Sequence, residues 1–395
     1  MSNILFVNGS IHGHINPTLP VVKELVRRGE EVTYFSTIDF KQKIEETGAI
    51  FMDYGPQLTQ FFQNFRPRGN HPFYSLIEFM LAMDRVVIPI VLQKTTNIKF
   101  DYIIHDVMFG GGNILSRLLN LTAIATCSSF VMERLPIPDH MLEPGFHPQL
   151  DCFFQEFEAA KNEWAIGSYK ITDLFFKKEN LNFVFTSKLF QPMGDSFDDT
   201  YRFVGPSISD RDEVPDFVVR QTEEEKIIYI SLGTINNQYI SFYHQCMDAF
   251  REESVKVIMS VGTKTDLSAL HPIPDNFVIR NYIPQLEVLK QADVFISHGG
   301  LNSVSEALFY GVPVIAIPLA NDQPMVARRL TELRAGCELK MTDITPELLR
   351  DTVHSLLSDQ AYKHSTIKVK DSFLQAGGYA TAVNEILRFI SDLQN

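Results

Sequence analysis

The sequence predicts an α/β protein made of two Rossmann-like, doubly wound domains. Three observations carry that expectation. Short apolar runs rich in strand formers alternate with helical segments along the chain. The 395 residues, 45% of them hydrophobic, are long for one core and ample for two. Each half opens on a buried-strand pattern that ends in a glycine turn, residues 4–7 before Gly9 and residues 227–231 before Gly233.

Residues 4–7 read as a strand and 9–16 as a loop. Residues 17–28 read as an amphipathic helix with Pro17 in its first turn and Gly29 past its end, and 31–36 as a second strand, which completes a βαβ unit. The runs 102–105 and 122–126 extend the parallel pattern, and 182–186 is a late strand. Two stretches, 52–85 and 131–164, crowd aromatic rings among prolines, glycines and polar residues, and are expected to be irregular. Their rings fill core or line an apolar pocket. Residues 203–207 read as a domain link, and the acidic segment 210–225 as a mobile one. In the second half, 294–297 and 314–317 are strands, the latter closed by Pro318. Near the end, Ala380, Val383, Ile386, Leu387, Ile390 and Leu393 share one helix face. The expected division is 1–205, 206–375 and a terminal helix, 376–395.

Composition narrows the function. The formal net charge is −13 with no cluster of Lys or Arg, which argues against a nucleic-acid groove or an anionic membrane surface. Four scattered cysteines lack CxxC spacing and paired histidines, so no zinc site and a reduced compartment are expected. No signal-peptide pattern and no apolar run of membrane-spanning length is present, so the expectation is a cytoplasmic protein without stable membrane insertion.

The strongest functional signal is His298-Gly299-Gly300-Leu301-Asn302-Ser303, followed by Glu306, Gly311-Val312-Pro313 and Asp322-Gln323. A strand, a glycine turn and a helix start place His298, Asn302 and Ser303 where side chains, free N–H groups and the helix dipole can hold a diphosphate. Glu306, one turn on, can accept both hydroxyls of a ribose. Asp322 and Gln323, after the next strand, suit sugar hydroxyls at the carboxyl edge of an open sheet. The turn Gly233-Thr234 can approach a phosphate with its backbone, or is an ordinary tight turn. The plain structural alternative makes Gly299-Gly300 a turn, Ser303 a cap and Glu306 a solvated helix residue.

The first loop, Gly9-Ser10-Ile11-His12-Gly13-His14-Ile15-Asn16-Pro17, brings two histidines to the mouth of the first sheet. Each is either a structural hydrogen-bonding residue or a base. Transfer to an alcohol needs a base with a suitable pKa and an acceptor to orient its second ring nitrogen, and Asp106, after the strand 102–105, sits at the same sheet edge. Asp106 could otherwise cap a loop.

Taken together, Gly13-His14-Ile15-Asn16-Pro17, Tyr282-Ile283-Pro284-Gln285 and the span from His298 to Gln323 resemble the UDP-dependent glycosyltransferase family that includes macrolide, flavonoid and glucuronosyl transferases. The resemblance covers nearly the whole chain and is strongest at 8–25 and 280–325. It implies the GT-B fold, two facing Rossmann-like domains with a cleft between them and a C-terminal helix crossing back to the first. It places the base on His14, not His12, with Asp106 as its partner. Donor binding falls to Gly233, Thr234, Tyr282, Ile283, Gln285, His298, Gly300, Leu301, Asn302, Ser303, Glu306, Asp322 and Gln323. Tyr282 and Leu301 stand where many plant relatives have tryptophan, as in bacterial macrolide-transferase-like members, and Tyr282 can still stack on uracil. Asp322-Gln323 favours glucose by resemblance. Phe61, Phe65, Phe79, Met83, Phe109 and Phe130 are expected to line an apolar acceptor pocket.

The implied reaction is inverting transfer of glucose from UDP-glucose to a small-molecule hydroxyl, with no cofactor or metal. The acidic group Asp195, Asp198 and Asp199 lacks the strand context of a metal site. The protein is expected to be a monomer or weak dimer. Two other readings are a UDP-GlcNAc-using enzyme, either a 2-epimerase or a lipid-linked GlcNAc transferase, and a sugar-nucleotide-binding protein without turnover.

Overall fold

Successive residues of a strand point to opposite sides of a sheet, and in the first sheet this sorts the apolar side chains into two cores. Ile4, Phe6, Tyr34, Tyr102 and Ile104 belong to one cluster, while Leu5, Val7, Phe35 and Ile103 belong to another. Strands buried on both faces read as continuous apolar runs, as parallel strands do. The computed structural model describes residues 1–394 except 133, 134, 136, 176, 177, 210–224 and 234–236. The chain divides into two compact units, Met1–Phe185 with Asp195–Ser207 and Tyr379–Asn395, and Thr186–Gly194 with Ile208–Gly378.

The first unit runs β1 (Asn3–Val7), α1 (His12–Ile15), α2 (Leu19–Arg27), β2 (Glu31–Ser36), α3 (Lys41–Glu45), β3 (Ile50–Asp53), α4 (Pro56–Asn64), α5 (Pro72–Thr95), β4 (Tyr102–Asp106), α6 (Gly112–Leu119), β5 (Thr122–Cys127), α7 (Pro148–Glu163), β6 (Asn182–Val184) and β7 (Tyr201–Phe203). Its described strands form one parallel sheet in the order β3-β2-β1-β4-β5-β6-β7. The order reverses between β1 and β4, the topological switch point at which open α/β sheets bind ligands.

The second unit runs β8 (Lys226–Ser231), α8 (Ile240–Phe250), β9 (Val255–Ser260), β10 (Phe277–Arg280), α9 (Gln285–Leu289), β11 (Val294–Ser297), α10 (Leu301–Tyr310), β12 (Val314–Ala316), α11 (Gln323–Glu332), β13 (Gly336–Glu338), α12 (Pro346–Ser358) and α13 (Gln360–Ala376). Its sheet is parallel in the order β10-β9-β8-β11-β12-β13, with the switch point between β8 and β11. The last helix, α14 (Gly378–Gln394), returns to the first unit. There Ala382, Val383, Ile386 and Ile390 are buried against the cluster of Ile4, Phe6 and Tyr34.

Several local expectations are corrected. The first loop contains the one-turn helix α1, and the next helix starts at Leu19 with Pro20, not Pro17, in its first turn. Gly29 does follow that helix, with φ of +92°. The two irregular stretches are largely helical, as α4, α5 and α7. Pro56, Pro72 and Pro148 each open a helix, where a missing N–H costs nothing. In α5, Tyr74, Ile77, Met80, Leu81, Met83, Val87 and Ile88 are all buried, which removes the amphipathic period that marks a surface helix. The segment expected to be mobile falls, for 210–224, outside the described residues.

Ile386 is 1% exposed and Leu393 is 55% exposed on the same helix. Ile386→Ala is expected to lower unfolding free energy in urea by about 2–4 kcal/mol, whereas Leu393→Ala changes it by less than about 0.5 kcal/mol.

Candidate active site

Register brings the first group of residues together. Val7 pairs with His105 across β1 and β4, so the segment after β1 and the end of β4 meet at one sheet edge. Asn8 follows β1, is 1% exposed, and donates from its side-chain amide to the His14 carbonyl at 3.0 Å and to the Tyr34 hydroxyl at 2.7 Å. The Thr18 and Tyr34 hydroxyls lie 2.8 Å apart, and burial raises the Tyr34 phenol far above its ordinary pKa, so it stays a neutral hydroxyl. These bonds fix the backbone of α1.

On that scaffold, His14 Nδ1 lies 2.7 Å from Asp106 Oδ2. Asp106 is fully buried as the last residue of β4, while the His14 side chain keeps 15% exposure. The other carboxylate oxygen accepts the N–H groups of Met108 at 2.8 Å and Phe109 at 3.1 Å, and the Ser128 hydroxyl lies 3.5 Å from Oδ2. These partners are donors, which suits an ionised carboxylate. An ionised carboxylate can only accept, so it selects the His14 tautomer with the proton on Nδ1 and leaves Nε2 a lone pair. A buried anion that orients a histidine in this way prepares a general base. His12 is not part of this pair; its ring meets Phe40 edge-on at 4.8 Å.

A run of rings leads to His14. Phe109 meets its imidazole edge-on at 4.7 Å. Phe79 lies 6.5 Å from Phe109, and Phe61 and Phe65 lie 5.4 and 5.3 Å from Phe79. Met83, Phe109 and Phe62 line a depression beside Gly9 and Ile11. Five of the expected acceptor residues are thus connected, and Phe62, another of the crowded rings of that stretch, joins them. Phe130 is buried but lies outside the core cluster that contains Met83 and Phe109.

The second unit assembles the donor residues around its own switch point. Gly233 follows β8 with φ of +81°, a conformation that favours glycine. A Cβ there would stand 2.7 Å from His298 Cε1, and one at Gly300 would stand 2.6 Å from His298 Nε2. His298 therefore fits only between two glycines. Loss of hydration pushes its pKa down to about 4, against a hydrogen bond to the Ser231 backbone that raises it. Thr234 lies outside the described residues.

Gly300, not Asn302 or Ser303, occupies the N-cap of α10, and no side chain caps that helix. Leu301, Asn302 and Ser303 form its first turn, whose N–H groups have no acceptor within the helix. Leu301 is buried while Tyr282 is 52% exposed. Ile283 buries its side chain. The Gln285 amide donates to Glu306 Oε2 at 2.6 Å and to Ser303 Oγ at 3.3 Å, tying three expected donor residues into one group. Asp322 precedes α11 without capping it. The Gln323 side-chain carbonyl accepts from the Leu319 and Ala320 N–H groups at 2.8 and 2.9 Å. Gln323 Oε1 is therefore engaged within the chain, which narrows the part expected of this side chain to its NH2.

Asn8, Tyr34, Thr18 and Ser128 were missed by sequence reasoning. Only Asn8, a polar residue directly after a buried strand, carried a usable signal. Among the described residues, no three His, Cys, Asp or Glu are grouped to hold a metal ion. Asp198 is instead paired with Lys178 and bonded to Thr200. No described helix is long and apolar enough to cross a membrane.

Residues 244–387 match the family profile described as Erythromycin biosynthesis protein CIII-like, C-terminal domain. YdhE of Bacillus subtilis (strain 168), named as an uncharacterized UDP-glucosyltransferase, is 35% identical over 94% of this chain and 94% of its own length. YojK of the same strain, named likewise, is 31% identical over 99% of this chain and 98% of its own. The chain belongs to the UDP-dependent glycosyltransferase family. The crystal structure of the glycotransferase of kitacinnamycin matches the fold of this glycosyltransferase with a TM-score of 0.86 at 26% identity, covering 98% of each chain. The fold is therefore GT-B, and the protein is an enzyme.

The His298 shift sets a pH dependence. Its folded value, about 4, lies below the ordinary 6.5, so between these values the unfolded chain binds a proton that the folded enzyme refuses. Stability is expected to fall as pH drops from about 6.5 to about 4, by at most about 1.4 kcal/mol per pH unit from this group. Urea unfolding of His298→Asn across that window should show a shallower slope than the parent enzyme.

Proposed function

We propose that this glycosyltransferase moves glucose from UDP-glucose to a hydroxyl of an apolar small molecule, inverting the anomeric centre to give a β-glucoside. The 2.7 Å bond between His14 and buried Asp106 carries the reading, because it prepares a base at a partly open position beside a line of apolar rings.

In this mechanism His14 Nε2 takes the acceptor's hydroxyl proton as its oxygen attacks the anomeric carbon, and the bond to the UDP oxygen breaks on the opposite face. Asp106 stabilises the imidazolium that forms and holds the ring against rotation. The departing diphosphate is stabilised by the first-turn N–H groups and dipole at the start of α10, with Ser303 and His298 beside it, so no divalent metal is required. His298 is neutral before the donor arrives, so it gains a proton if both of its nitrogens are to donate. The open ring of Tyr282 stacks on uracil, Glu306 with Gln285 accepts the ribose hydroxyls, and Asp322 with the Gln323 NH2 holds the sugar.

Glucose as the sugar is supported by the names of the two Bacillus relatives, and an apolar natural-product acceptor by the matching family profile. Flavonoids, macrolides and terpenoids all carry the apolar surface that phenylalanine and methionine side chains favour. The four free thiols suit a reducing, cytoplasmic setting.

The enzyme, UDP-glucose, EDTA and a flavonoid or macrolide should yield UDP matched by a mass gain of one hexose on the acceptor. UDP without glycoside, or transfer only from UDP-GlcNAc, contradicts the proposal. His14→Ala is expected to lower kcat by at least about a hundredfold while UDP still binds. Asp106→Asn should fall comparably, because an amide can donate to Nδ1 and leave the proton on the nitrogen that must act as base.

A further inference from the structure

We propose that His105, held by Glu179, is a positioning residue that holds Asp106, and through it His14, in working geometry. The inference rests on the reading of His14 as base.

His105 immediately precedes Asp106 in β4, so their side chains leave opposite faces of the sheet. Its ring is fully buried. Nδ1 lies 3.0 Å from the Asp106 carbonyl oxygen and Nε2 lies 3.1 Å from Glu179 Oε1. A carbonyl can only accept, so Nδ1 donates to the Asp106 backbone, while Nε2 is held by the Glu179 carboxyl group. The far side of this pair is fixed as well. The Glu179 N–H donates to Asn182 Oδ1 at 2.9 Å, and the Asn182 amide returns a 2.7 Å bond to the Glu179 carbonyl.

The surroundings leave the ring one position. A Cβ at Gly112, which opens α6, would stand 2.1 Å from His105 Cβ and 2.3 Å from Cγ, so the helix start closes directly on the side chain. On β5, Thr126 donates its hydroxyl to the His105 carbonyl at 3.2 Å. The ionisable groups in contact are Glu179 and, along the same strand, Asp106 with its partner His14. Asp106 is thus gripped on both sides, its carboxylate by His14, Met108 and Phe109 and its carbonyl by the His105 N–H. That second grip sets the angle at which the carboxylate meets the His14 ring.

Two variants test this. His105→Phe keeps the bulk of the ring but removes the donor to the Asp106 carbonyl, whereas His105→Asn keeps a donor there. His105→Phe is expected to lower kcat by about tenfold with KM for UDP-glucose unchanged, and His105→Asn to recover most of that loss. A merely structural role would lower thermal stability and raise KM in both variants without a selective loss of kcat in His105→Phe, and that result, or unchanged kinetics, overturns the proposal. If His14→Ala itself retained turnover, the base assignment would fail instead, whatever the His105 variants did.

Discussion

Everything in the acceptor half depends on one buried anion meeting one histidine. Asp106 lies at the end of a strand buried on both faces, where an unpaired charge would be costly, and its oxygens are answered by His14, two backbone N–H groups and Ser128. The parallel register of β1 and β4 makes the meeting possible, because it brings the chain after Val7 alongside Asp106. Asn8, Thr18 and Tyr34 then hold α1 so that the histidine points inward. The base is a product of sheet topology as much as of the two residues themselves.

The second unit repeats the same logic with different chemistry. Its order also reverses at the centre of a parallel sheet, and the segments after β8 and β11 bring Gly233 to His298. Here the groups presented are N–H donors at an uncapped helix start, a neutral histidine and a carboxylate steered by Gln285. In the proposed reaction the first unit offers a base to a neutral alcohol, and the second offers positive potential to a diphosphate. Each fits one partner of a group transfer.

Much of this was legible in the sequence. The strands ran close to their expected bounds because buried parallel strands advertise themselves as apolar runs, and Val294–Ser297 matches its expected span. The positions of His14, Asp106, His298 and Glu306 beside strand ends and glycine turns were legible because that spacing is local. The helices α4, α5 and α7 were not. A helix covered on most sides loses its period, and a proline that opens a helix looks like one that breaks it. The Asn8–Tyr34 contact was also hidden, since it spans 26 residues and depends on register alone. The Gln323 amide could be placed near a sugar from its position, yet only its bonds to Leu319 and Ala320 show which end is available.

The central claim is a direct, single displacement driven by His14. Its most direct measurement is the anomeric configuration of the glucoside formed from UDP-α-glucose, read from the coupling constant of the anomeric proton in the NMR spectrum of the product. A β-glucoside, with the large coupling of trans-diaxial protons, is the predicted result. An α-glucoside would contradict the account, because retention requires a second displacement or a front-face attack that a lone base opposite the leaving group does not provide.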